Sequence, residues 1–118
     1  GPYVAVIDGH PCHHVQLPTT LPTFDEVLGR AGIDPGNLVG HFLSLTRNDH
    51  DQVFTAHAEL EGGRLAGHFE ALLAGWRGQG HELVCLGDLH AGLDRQSLRR
   101  EPLRWGALPG RSGELVLA

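Results

Sequence analysis

The hydrophobic pattern of this chain changes period several times, and each change predicts an element. Residues Tyr3–Ile7 form a β-rich apolar run, Asp8-Gly9 is a turn pair, and a second run continues to Leu17, which predicts a hairpin. In "LPTFDEVLGR", Thr23 is placed to cap a short helix with Glu26 three residues on, and Gly29 is placed to end it. A second helix is predicted with Asp34 as cap, Pro35 at its first position, and Leu38, Phe42 and Leu45 on one face. "VFTAHAEL" (53–60) alternates with period two and predicts a strand. After Gly62-Gly63, Leu65, Phe69, Leu72, Leu73 and Trp76 repeat at helical spacing, and Gly78 or Gly80 closes that helix. "HELVCL" (81–86) predicts a buried strand, and the tail from Arg99 predicts an irregular hairpin over the core.

Strand, helices, strand, helix, strand is an α/β order, and it predicts parallel strands joined by right-handed crossovers. Three such strands leave two open edges, which favour pairing with further strands or with a second copy of the chain. At 118 residues the chain suits one unit, taken as 1–118. It contains no methionine, so the expectation is a fragment of a larger chain.

Composition narrows the function classes. Net charge is −5 and all nine basic residues are arginine, with no basic stripe of the kind nucleic acid requires. No apolar run approaches the roughly 20 residues of a membrane-spanning helix. Cys12 and Cys85 are far apart, which favours a reduced compartment, and Cys85 between Val84 and Leu86 reads as a buried small hydrophobe.

His57 is the main chemical candidate. Alternation puts Val53, Thr55, His57 and Glu59 on one side of the predicted strand, and Phe54, Ala56, Ala58 and Leu60 on the side that packs on helices. The first set turns polar toward the strand's C-terminal end, where sites lie in parallel barrels and open α/β sheets. Two readings stay open: a group that does chemistry there, or a buried histidine bonded to Glu59 or to a backbone carbonyl. The "HPCHH" run (His10, Cys12, His13, His14) lacks a second ligand pair at zinc-finger spacing, so no metal is assigned to it. His41, His50, His68, His81 and His90 are dispersed and read as surface positions, and Asp49-His50-Asp51 as a polar turn. "QLPTTLPTFDEVLGR" leads a threonine-rich loop into a helix N-terminus, where Thr19, Thr20 and Asp25 either contact sugar or phosphate oxygens or simply cap the helix.

Taken in order, "QLPTTLPTFDEVLGR", "VFTAHAELEGG", "LAGHFEALLAGWRGQGHELVCLGDL" and "LPGRSGELVLA" resemble the C-terminal part of the NodB-homology polysaccharide deacetylases. Within that family the resemblance is to the deformylase branch, which acts on lipid-linked 4-formamido-arabinose in lipid A modification. It implies the C-terminal portion of a distorted (β/α) barrel: about three parallel strands with crossover helices, plus N-terminal and C-terminal hairpins. It also implies a carbohydrate amide hydrolase with a divalent metal, zinc, in the complete enzyme, held by an aspartate and two histidines of an N-terminal half not in this chain. That half would then be the chain's partner, and the fragment alone would be inactive. By the same resemblance His57 matches the family's general acid. Its orientation calls for a carboxylate: Glu59, two residues on along the same face, is one candidate and an aspartate of the absent half is the other, while Glu61, nearer the loop, is placed to meet sugar hydroxyls. The loop from Pro18 to Pro22 lines the substrate side, and the location is the cytoplasmic face of the bacterial inner membrane. Two alternatives remain: a non-catalytic module holding a glycolipid headgroup at Thr19–Asp25, and a domain that covers its sheet edges by self-association.

Overall fold

A computed structural model of the protein describes residues 1–30, 32–107 and 113–117. These form two compact units, 1–18 with 86–118, and 19–85.

In the first unit, strands β1 (Tyr3–Ile7) and β2 (His10–Gln16) pair antiparallel as the turn signal predicts. Asp8 and Gly9 both take positive φ, 50° and 78°, the combination a two-residue turn needs to match the twist of the strands it joins. The register slips between Val4 and Val6, a bulge. β3 (Arg99–Pro102) runs parallel to β1 on its other side, giving the order β2-β1-β3. Val4 and Ala5 of the central strand are both buried although they are adjacent, so β1 is covered on both faces. Pro11 and Pro102 fall on the two outer strands, where a missing N–H costs least. On β2, the carbonyls of Cys12 and His13 accept from the Arg95 guanidinium, which supplies two bonds no neighbouring strand makes. Helix α4 (Leu86–Ala91) lies in the same unit. So does a second antiparallel pair, β4 (Arg104–Gly106) with β5 (Leu115–Leu117). The tail's predicted hairpin from Arg99 is thus corrected: Arg99–Pro102 pairs parallel with β1, and the antiparallel pairing starts at Arg104. Trp105 of β4 is 68% exposed. The residues between β4 and β5, from 108 to 112, lie outside the described residues.

The second unit is built on helices. Thr23 caps α1 (Phe24–Val27): its Oγ1 accepts from the Glu26 N–H at 3.1 Å and donates to the Glu26 carboxylate at 3.1 Å. Gly29, at φ 85°, ends that helix as expected. Asp34 caps only the turn ahead of the next helix, accepting from Gly36 N and Asn37 N, and α2 itself runs Leu38–Leu45 from Asn37. Leu38 and Phe42 are buried, but Leu45 is 38% exposed, which corrects its assignment to the buried face. α3 (Ala66–Gly78) presents Leu72 and Trp76 to the core, with Phe69 and Leu73 partly buried beside them. Phe54 is the hub: its ring lies 5.5–6.0 Å, centroid to centroid, from Phe24, Phe42, Phe69 and Trp76.

Two predicted strands are corrected. Residues 51–57 and 81–85 join no ladder, and 60–64 form a wide π-type turn, closed by a 2.9 Å bond from Leu65 N–H to Leu60 C=O. Period-two alternation places Phe54 and Leu60 against the core, but Ala56 and Ala58, assigned to the same side, are exposed, and the pattern cannot report whether a neighbouring strand exists. Leu83, Val84 and Leu86 are exposed, as is Cys85, so the expectation of a buried strand and a buried thiol at 81–86 fails. Among the described residues helices and strands are mixed, the parallel pair is β1 with β3, and no closed barrel forms.

Candidate functional site

In the second unit the threonine loop attaches at residues 52–53, and His57 and Glu61 meet in the turn that follows. Val53 C=O is where the threonine loop attaches. It accepts from Thr20 N–H at 2.9 Å, Leu21 N–H at 3.2 Å and the Thr19 hydroxyl at 2.9 Å. In return Val53 N–H donates to Thr20 Oγ1 at 2.8 Å, and that hydroxyl donates to Gln52 Oε1 at 2.7 Å. Both threonine hydroxyls therefore hold the loop against the segment that leads to His57. Asp25 is exposed in the first turn of α1, where a carboxylate suits the positive end of the helix.

Past Val53 the chain turns sharply. Leu60 N–H (3.1 Å) and Gly62 N–H (3.3 Å) both donate to His57 C=O, wrapping 57–62 into one closed turn. This wrapping changes which carboxylate meets the histidine. Strand spacing points to Glu59, but Glu59 is exposed and in helical backbone geometry. Glu61, four residues on, is brought round instead. Its Oε2 accepts the backbone N–H of His57 at 2.8 Å and lies 3.9 Å from the imidazole Nδ1. The neighbour of His57 is thus corrected from Glu59 to Glu61. Only a non-strand reading of the H-x-x-x-E spacing would have shown this in advance.

Burial makes the pair unusual. Glu61 is only 2% exposed, so its carboxylate faces the turn and not the solvent a sugar would arrive from. The His57 side chain is 38% exposed, yet its Nδ1 is sealed. Nδ1 and Glu61 Oε1 are both buried with no hydrogen-bond partner among the described residues. A buried polar atom left unpaired costs about 1–3 kcal/mol, so two in neighbouring side chains are expensive unless they serve each other.

The remaining histidines do not build a site. His13 and His14 sit on β2 with ring centroids 5.3 Å apart, and Cys12 beside them is half-buried. Among the described residues no three His, Cys, Asp or Glu side chains converge as a metal centre needs. His68 and His81 are better placed than a surface reading suggests. His68 Nε2 lies 3.0 Å from Pro35 C=O, and His81 Nε2 lies 2.7 Å from Thr46 C=O. Their partners are carbonyls more than thirty positions away, invisible to any local pattern.

With this geometry in view, comparison with known proteins gives a specific relative. Over 58 residues the chain is 43% identical to a probable 4-deoxy-4-formamido-L-arabinose-phosphoundecaprenol deformylase, ArnD, of Shewanella sediminis. The matched stretch is 49% of this chain and 19% of that deformylase. No protein-family model matches the chain. No solved structure matches it. The similarity to ArnD supports a relation to carbohydrate deformylases. The chain spans about a fifth of that deformylase's length over the matched stretch.

Proposed function

We propose that this chain is part of a carbohydrate amide hydrolase of the deformylase or deacetylase type, with His57 as the proton donor. The substrate is a formamido- or acetamido-sugar, and the similarity to ArnD favours a lipid-linked 4-formamido-arabinose. In this reading all of 1–118 belongs to a larger (β/α) barrel, whose other part is its partner and whose substrate reaches it at the cytoplasmic face of the inner membrane. No helix among the described residues is long and apolar enough to cross that membrane.

The observation that carries the proposal is the sealed His57–Glu61 pair, in a chain with partial similarity to that deformylase. Amide hydrolysis needs it for a plain reason. Water gives up one proton to a base outside these residues as its oxygen adds to the carbonyl carbon, and the tetrahedral intermediate must then expel nitrogen. Unprotonated, that nitrogen would leave as a prohibitively basic amide anion. A protonated imidazole gives its proton to the nitrogen as the C–N bond breaks, so the amine leaves neutral and the carbon leaves as formic acid. The ring is then reprotonated from solvent. Proton delivery of this kind accelerates reactions by about 10²–10⁴-fold.

The resemblance also implies a divalent metal, which would activate the attacking water. The described residues do not fit one, because no three candidate ligands converge. Proton delivery is therefore the half of the reaction that these residues account for. The glycolipid-binding alternative loses support at its proposed contacts, since the Thr19 and Thr20 hydroxyls are engaged by Val53 and Gln52.

The test is formate release from a formamido-sugar phosphate by the intact protein that carries this chain. His57→Ala is expected to lower kcat by about 10²–10⁴-fold with bound metal unchanged. Full turnover by the variant removes His57 from the mechanism.

A further inference from the structure

We propose that Glu61 is the positioning residue of His57, gripping it with both carboxylate oxygens: Oε2 on the backbone N–H and Oε1 on Nδ1–H. The inference deepens the reading above and rests on it for its catalytic consequence, but its structural core stands on geometry alone. One half of the grip is formed, the 2.8 Å bond from His57 N–H to Oε2. The other half is poised. Nδ1 lies 3.9 Å from Oε2, too long for a hydrogen bond, while Nδ1 and Oε1 are both buried and without other partners among the described residues. Neither atom has a competing bond to break, so a rotation of the imidazole or the carboxylate that brings them together completes the grip.

The turn explains why this glutamate serves. Bonds from Leu60 N–H and Gly62 N–H to His57 C=O hold residue 61 against residue 57, and Leu65 N–H to Leu60 C=O closes the next loop of chain behind it. Gly62 and Gly63 follow at once, both exposed. The chemical consequence concerns the tautomer. A carboxylate on Nδ1–H makes Nε2 the nitrogen that takes up and releases the exchangeable proton. Because Nδ1 is sealed, the exposed part of the side chain is the part that can meet a ligand. A donor whose reactive nitrogen is fixed in identity and direction meets the leaving nitrogen without a search over ring flips.

Histidine-labelled ¹⁵N NMR of this chain tests the grip directly. The His57 signal is identified by its loss in His57→Gln. In alkaline buffer, where imidazole is neutral, wild-type His57 is expected as the Nδ1–H tautomer, and Glu61→Gln is expected to move it toward Nε2–H. In the intact protein the same substitution should lower kcat by about 10-fold or more with KM within about twofold, a split that simple loosening of the fold would not produce. A wild-type ring found as Nε2–H overturns the proposal even if Glu61→Gln fails to fold. An unchanged tautomer in a folded Glu61→Gln overturns it as well. The two proposals fail separately: full activity of His57→Ala sinks the proton donor, whereas the tautomer measurement decides the grip without reference to activity.

Discussion

Cys85 and Glu61 show how far a single residue's surroundings depart from what its neighbours in sequence suggest. Flanked by valine and leucine, Cys85 reads as a core thiol, yet it is exposed along with Leu83, Val84 and Leu86. Cys12, in a run of histidines, is the more covered of the two. Brief treatment of the folded chain with a maleimide should therefore label Cys85 well before Cys12, read by peptide mass. Equal rates, or Cys12 first, would contradict the exposure of 81–86. Glu61 reverses the pattern: a charged residue beside two glycines is almost fully buried, because the turn folds it under His57. Phe54 is where local reading and structure agree, since four aromatic rings surround it. Ala56 and Ala58, assigned to the same covered side, are exposed because the chain leaves the extended course after Val53.

Among elements, α1, α2 and α3 were legible, whereas α4, whose first residue the sequence assigns to a strand, and the lack of a ladder at two predicted strands were not. Capping chemistry is local, so Thr23 with Glu26, and Gly29 behind them, could be read directly and are found as expected. A ladder is a property of two segments, and 53–60 and 81–86 carry strand-like patterns without a partner strand. What joins α2 to α3 is also nonlocal. Thr46, at the end of α2, accepts the Trp76 indole N–H at 3.1 Å and donates to Gln79 Oε1 at 2.8 Å. Gln79 Nε2 in turn donates to Leu43 C=O at 2.8 Å. Close approach is possible because Gly75 faces Leu43: a Cβ there would come within 2.8 Å of that leucine's methyl carbons. Thr46→Val keeps the volume but leaves the indole N–H without its acceptor. It should cost about 1–3 kcal/mol, seen as a lower urea midpoint with unchanged slope. A midpoint within error of wild type would mean the network contributes nothing net.

For the molecule as a whole, charge is distributed unevenly. Residues 19–85 carry nine acidic side chains against four arginines, so the net charge of −5 belongs to that unit, while the other unit is balanced. An acidic body has no electrostatic reason to settle on an anionic bilayer. In flotation with phosphatidylglycerol-rich vesicles at about 0.1 M salt, where screening leaves only close contacts, the chain alone should stay in the soluble fraction. Co-flotation would mean that its exposed apolar residues drive membrane attachment. Composition, the Thr23–Glu26 cap, the Asp8-Gly9 hairpin and the core stripe of α3 followed from sequence alone, because each depends on residues within a few positions of one another. The choice of Glu61 over Glu59 and the attachment of the threonine loop to Val53 needed the folded chain. So did the exposure of the 81–86 run. Each of these depends on where the backbone turns and on what lies across a gap in space, and periodicity carries no information about either.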